Sequence, residues 1–297
     1  MIQYIVGEIM IYKLKPIFLS KIWGGTKLKH IYQTDLINIG EVWGISGHQS
    51  YSNFINDNHI TLRELYHNER DLFGGYKLNE FPILMKIIDA KEDLSVQVHP
   101  DDKYVNKFNS LGKEECWYIL DASDDAEILI GHNAKNKNEF ISAIQSNNMN
   151  QVFRRYKIKK GDYFYIPAGT VHAILKNTQV LEVSQSSDIT YRLYDYNRTD
   201  DNGYTRELHL KEAIEVMNIP DNKVLKNHKK KYFDFEVFKN KDTHSVISHT
   251  YGDYIGITSG NGYVNEYQAK FGDFFMISAN SQYHLKGNFE YIKVTLI

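Results

Sequence analysis

Two stretches of this chain spell one pattern. GDYFYIPAGTVH (161–172) and GDFFMISANSQYH (272–284) both begin Gly-Asp, continue with an aromatic pair, pass a turn of small residues and close on a histidine. The second copy carries one inserted residue. A Gly-Asp pair favours a tight turn, because glycine tolerates a positive φ and aspartate can bond its own backbone. The aromatic pair then favours a strand. Such a unit met twice predicts a duplicated β element. The 22 tyrosines and 15 phenylalanines cluster in similar short alternating runs. They predict strands at 81–89, 94–99, 115–121, 126–131, 162–167, 179–185 and 189–195, with further short strands from Tyr232 onward. Helical spacing is confined to DDKYVNKFN after Pro100, to 137–153 and to 206–217. The fold class is therefore mostly β, of sandwich or barrel type, with a helical insert and a helical joint.

Composition removes several function classes. At 297 residues the chain can bury a real core as one large domain or two moderate ones. A formal net charge of −2 gives no reason to expect nucleic acid. The basic run in KVLKNHKKKYFDF (223–235) is most simply a solvated linker, with phosphate or RNA contact the minor reading. The single cysteine, Cys116, excludes an internal disulfide framework and suits a reducing, cytoplasmic compartment. No run of roughly 18 apolar residues suggests a membrane helix. The opening MIQYIVGEIM lacks a basic n-region, so it does not read as a secretory signal. Met1 and Met10 are both candidate starts.

LSVQVHPDD (94–102) raises the chemical question. Strand parity puts Ser95, Gln97 and His99 on one face and Leu94, Val96 and Val98 on the other. In GKEECWYIL, the same parity sends Glu115, Trp117 and Ile119 to one face, with Lys113 beside them, and turns Cys116 away to pack. His172 emerges on the strand after the Pro167-Ala168-Gly169 turn. Gln97, His99, Glu115 and His172 thus come from three strand segments able to face one barrel interior. Two imidazoles, a carboxylate and an amide oxygen suit a borderline divalent ion such as Zn²⁺. Their summed charge of about −1 would leave a 2+ site net positive and attractive to an anionic or carbonyl-bearing ligand. Taken singly, each residue has a plainer role: a core histidine, or a solvated carboxylate. Lys86 reads as a lysine snorkelling from a strand edge, Lys113 as a partner of Glu114 or Glu115, and Arg192 as an exposed strand residue. Near a metal, those three cations could instead hold a phosphate and polarise a carbonyl. Glu182, opposite in parity to Leu181 and Val183, can face the same space.

FPILMKIIDAKEDLSVQVHPDD, GKEECWYIL, IPAGTVHAI and LEVSQSSDITYRLYDYNR resemble, in order and spacing, segments of type I mannose-6-phosphate isomerases of the short bacterial form. IWGG (22–25) and GEVWGISGHQS (40–50) resemble the N-terminal segments of that family, and the likeness extends over roughly 17–215. The resemblance implies a double cupin. Residues 1–205 would form the catalytic, metal-binding domain, 206–231 a helical linker and 232–297 a second, non-catalytic cupin-like domain completed by N-terminal strands. It implies zinc on Gln97, His99, Glu115 and His172, and a sugar-phosphate pocket lined by Ser95, Lys86, Lys113, Glu182 and Arg192. The chain has Ile174 where longer members carry an aromatic residue. The second barrel offers no His-x-His or Gln-x-His before Gly272, which leaves His284 a ligand without partners.

The implied reaction interconverts mannose 6-phosphate and fructose 6-phosphate through an enediol. In it the metal and Arg192 stabilise developing charge, and Lys86 and Ser95 hold the phosphate. Lys113, Glu182 or a metal-bound water would shuttle the proton. The protein would act as a monomer or homodimer on a small sugar phosphate, without nucleic acid or membrane. Two rivals share the fold: an Fe²⁺-dependent cupin oxygenase and a sugar-binding cupin without catalysis. Gln97 in place of a histidine leans away from iron.

Overall fold

Alternating aromatic and aliphatic residues become strands wherever a turn lets the chain reverse. The computed structural model describes residues 10–56, 59–106, 110–146, 149–199, 203–221 and 231–297. The seven strands expected before residue 196 are present at Ile83–Ala90, Val96–Val98, Glu115–Ala122, Glu127–His132, Tyr163–Ile166, Thr178–Gln185 and Tyr191–Tyr194. Helix after Pro100 is a single turn, Asp102–Val105, started by the Asp101 side chain accepting from Tyr104 N. The segment 137–153 is helical over Lys137–Gln145 and Met149–Val152, then turns into the strand Phe153–Lys157. The joint helix is shorter than expected, Leu210–Val216. Residues 1–9 and 222–230, which hold the choice of start and most of the basic run, lie outside the described residues. No described helix is long and apolar enough to cross a membrane.

Some strands were not legible. Ile39–Ser46, IGEVWGIS, is buried at every position, so no polar alternation marks it. Gly44 is required there, because a Cβ would sit 2.2 Å from the Phe274 ring. Beyond Tyr232 the expected short strands are present at His244–Ile247, Tyr267–Lys270 and Phe274–Ile277, but two others are long: Asp253–Val264 has 12 residues and Gln282–Leu296 has 15. The glycines of SGNG (259–262), inside Asp253–Val264, serve close backbone approach. A Cβ on Gly262 would meet Lys286 O at 2.2 Å.

The chain divides into two compact units. One takes Leu19–Glu41 and Ile87–His228, the other Met1–Phe18, Val42–Lys86 and Lys229–Ile297. In the first, strand order in the smaller sheet is Tyr191–Tyr194, Val96–Val98, His172–Ile174, Glu127–His132, Phe153–Lys157. In the larger sheet, Thr178–Gln185 and Tyr163–Ile166 flank Glu115–Ala122. Trp23, Trp117, Ile119, Ile128, Ile130 and Ile174 belong to one apolar cluster between them. Val96 and Val98 pack on the opposite face with Phe140 and Leu193. Leu94 departs from parity: it precedes the strand and packs with Trp117, not with the two valines. In the second unit, Ile11–Lys13 pairs with Phe275–Ile277, so an N-terminal strand lies in the C-terminal sheet.

The two copies of the repeat share their turn hydrogen bonds. In the first, Ile119 N donates to Asp162 O and Gly161 N to Ile119 O; in the second, Ile257 N donates to Asp273 O and Gly272 N to Ile257 O. Each aspartate closes its turn by accepting from the backbone three residues earlier, Lys159 N or Lys270 N, at 2.8 and 2.9 Å. Glu115 pairs with Ile166, as Asp253 pairs with Ile277. The positive φ of Gly169 recurs at Asn280. No residue is inserted. His172 therefore corresponds to Tyr283, and His284, one residue on, faces the exposed side. His172 is paired with Gln97 across its sheet; Tyr283 is paired with Val246.

The second barrel thus carries Asp253, Tyr283 and Val246 where the first has Glu115, His172 and Gln97. Tyr283 Oη donates to Asp253 Oδ2 at 2.8 Å, with both residues fully buried. Burial, then the charge of Asp253, raises the phenol's pKa, so it stays a donor. Tyr283→Phe removes that donor from a buried carboxylate. It is expected to cost about 1–3 kcal/mol in urea unfolding.

Candidate metal centre

Three strands and their turns bring the ligand candidates together. His99 follows Val96–Val98, Glu115 opens Glu115–Ala122, and His172 opens His172–Ile174. All three are about 1% exposed, and their ligand atoms lie within 4.8 Å of one another. The backbone of the His99 turn is pinned, since His99 O accepts from Gly169 N and Pro100 O from Lys113 N.

The protonation pattern follows from the acceptors. His99 Nδ1 is 2.7 Å from Ile189 O, and His172 Nδ1 is 2.9 Å from Thr170 O. A carbonyl only accepts, so each Nδ1 carries the hydrogen and each neutral ring presents the Nε2 lone pair. His99 Nε2 is 3.2 Å from Glu115 Oε1, and His172 Nε2 is 3.6 Å from Glu115 Oε2. A tetrahedral ion with bonds of about 2.1 Å has ligand edges of about 3.4 Å, close to the 3.2 Å between His99 Nε2 and Glu115 Oε1. Among the described residues, His99 Nε2 and Glu115 Oε1 are buried atoms with no aligned hydrogen bond. Two lone pairs and a carboxylate oxygen facing one point fit a borderline divalent cation. Gln97 Nε2 lies 3.4 Å from His172 Nε2. A half-turn of that amide presents its oxygen instead.

Electrostatics keep this set ready to bind. Burial, with Lys113 next, lowers the His99 pKa from 6.5 to about 4, so the 3.2 Å contact with Glu115 is not an ion pair at neutral pH. Burial alone would raise the Glu115 pKa, but the Lys113 ammonium beside it is the foremost cause that holds it well below the ordinary carboxylate range. Lys113 Nζ is 3.2 Å from Glu115 Oε1 and 3.8 Å from Glu182 Oε1. Glu182 pairs with Trp117 in the ladder, and so faces the same interior.

The remaining candidates are placed as follows. Arg192 pairs with Gln97 across the sheet. Its Nη1 donates to Glu207 O at 2.8 Å, and its buried Nε has no acceptor among the described residues. Ser95 is buried two residues before Gln97, and Lys86 is buried in Ile83–Ala90. Cys116 faces away, with Sγ 3.0 Å from Tyr163 Oη. One polar contact was not read from the sequence: Trp117 Nε1 donates to Glu115 Oε2 at 3.0 Å. Its signal was the shared parity of the two residues, which marked a common face but not a bond.

A histidine at about 4 when folded and 6.5 when free takes up its proton more readily in the unfolded chain. The metal-free protein is therefore expected to lose stability as pH falls from about 6.5 to about 4, by up to ~1.4 kcal/mol per pH unit from this group. Denaturant unfolding of chelator-treated protein across that window measures it, and His99→Gln should flatten the slope.

With this geometry in hand, the likeness to known proteins is specific. Residues 11–152 match the family described as phosphomannose isomerase type I, catalytic domain. A mannose-6-phosphate isomerase of Bacillus subtilis is 48% identical over 212 residues, 69% of this chain and 67% of that protein. One from Streptococcus mutans is 43% identical over 216 residues, 69% of this chain and 68% of its own length. The crystal structure of a mannose 6-phosphate isomerase from B. subtilis superimposes with a TM-score of 0.90 at 35% identity, covering 96% of this chain and 99% of that one. The fold recurs at a TM-score of 0.80 and 19% identity, over 99% of each chain, in a protein from Archaeoglobus fulgidus. This chain belongs to the type I phosphomannose isomerase family, with a mostly β, cupin fold.

Proposed function

We propose that the chain interconverts mannose 6-phosphate and fructose 6-phosphate, with Zn²⁺ held by Gln97, His99, Glu115 and His172. The observation that carries the ligand assignment is the convergence of two Nε2 lone pairs on one buried carboxylate. Nitrogen and oxygen donors in a tetrahedral spacing favour zinc over harder ions. When bound, the ion acts as a Lewis acid toward the sugar oxygens on which negative charge develops.

The surrounding side chains supply the rest. Isomerisation moves a proton between C1 and C2 through an enediol, so a group beside the ligands must take and return it. Lys113 and Glu182, 3.8 Å apart and both buried, act as that pair. Arg192, paired in the sheet with Gln97 and with its Nε free of an acceptor among the described residues, is the donor we assign to the developing oxyanion, where preorganised charge needs no reorganisation. Ser95 holds the phosphate and keeps the reacting carbons in register. A cytoplasmic setting suits the single buried thiol, Cys116. Neither the oxygenase nor the inert sugar-binding cupin is favoured: the relatives named above are isomerases.

A coupled assay of mannose 6-phosphate conversion, before and after chelation and again with zinc restored, tests the reaction. Activity should vanish and return; no turnover by a fully zinc-loaded protein would sink the isomerase reading. Glu182→Gln should lower kcat by about 10²–10⁴-fold with zinc content unchanged. Arg192→Ala should cut kcat more than it raises KM. An intact kcat with raised KM would reassign Arg192 to ground-state binding.

A further inference from the structure

We propose that Trp117 is a positioning residue for the metal centre, holding Oε2 of Glu115 so that only Oε1 is offered to the ion. The inference rests on the ligand set above. A carboxylate can meet a cation through one oxygen or through both. Here the two oxygens are not equivalent. Oε2 accepts the indole N–H at 3.0 Å, whereas Oε1 accepts no aligned hydrogen bond among the described residues and lies 3.2 Å from His99 Nε2 and 3.2 Å from Lys113 Nζ.

The bond is built into the strand. Glu115 and Trp117 are two residues apart and face the same interior, so one backbone segment sets both side chains. Each is 1% exposed. A buried indole N–H can only donate, and leaving it without an acceptor is costly. Releasing Oε2 to an ion would impose that cost, so the tryptophan biases the carboxylate toward binding through one oxygen. Its ring also packs edge-on against His172, with centroids 5.4 Å apart at 81°. One side chain therefore braces two of the ligands. Partners of this kind orient ligands and tune affinity.

Trp117→Phe keeps an aromatic edge against His172 and deletes the donor. Wild type and variant are titrated with Zn²⁺ against a chromophoric chelator. The variant is expected to bind about 10–100-fold more weakly. With Co²⁺ it should absorb more weakly in the visible, as the freed oxygen adds a ligand. Equal affinity and an unchanged Co²⁺ spectrum in a folded variant would overturn the role of Trp117. Wild type that takes up no ion would instead overturn the ligand set. A second measurement needs no folded variant at this position. The chain has three tryptophans, and in ¹⁵N-indole-labelled wild type, with Trp23→Phe and Trp43→Phe for assignment, the Trp117 N–H resonance should move on Zn²⁺ addition. A resonance that stays put would overturn the proposal.

Discussion

Everything about the first barrel turns on a buried carboxylate. Glu115 lies almost fully enclosed among isoleucines and a tryptophan, where an unpaired charge would be heavily penalised. Its neighbours answer that demand: a lysine ammonium at 3.2 Å, an indole N–H at 3.0 Å, and two imidazoles whose Nδ1 atoms are committed to carbonyls, which turns each Nε2 inward. Neutral imidazoles do not neutralise a carboxylate. They are arranged for a cation that binds all of them together, which is why the barrel interior reads as a coordination sphere rather than as a salt bridge.

The second barrel meets the same demand differently. Asp253 stands at the Glu115 position, fully buried, with Tyr283 donating where His172 presents a lone pair. His249 N also donates to it, and Lys293 lies 3.9 Å away. A donor in place of a lone pair makes the carboxylate self-sufficient, and Val246 stands where Gln97 would be. One backbone plan thus supports two interiors: one satisfied by its own hydrogen bonds, the other set to take an ion.

Much of this was readable before any coordinates. Period-two alternation located the strands of the first barrel, and parity sent Glu115, Trp117 and Lys113 to one side, because side-chain direction in a strand is a local property. Alternation failed where it carries no information. Ile39–Ser46 is buried on both faces, so no polar alternation marks it. The repeat was visible too, but matching its histidines required an insertion the backbone does not contain, and a one-residue shift moves a side chain to the opposite face.

The sequence by itself determined which faces are polar, that the β unit is duplicated, and which side chains have the chemistry to hold a metal. Those follow from local sterics and from residue type. Only the tertiary structure decided that Tyr283, not His284, answers to His172, that the Nδ1 atoms of His99 and His172 are committed to the carbonyls of Ile189 and Thr170, and that Trp117 claims one oxygen of Glu115. The first two depend on register and on partners distant in the chain. The third joins residues only two apart, yet it needs the packing of the interior to fix the indole's rotamer, which no spacing rule contains.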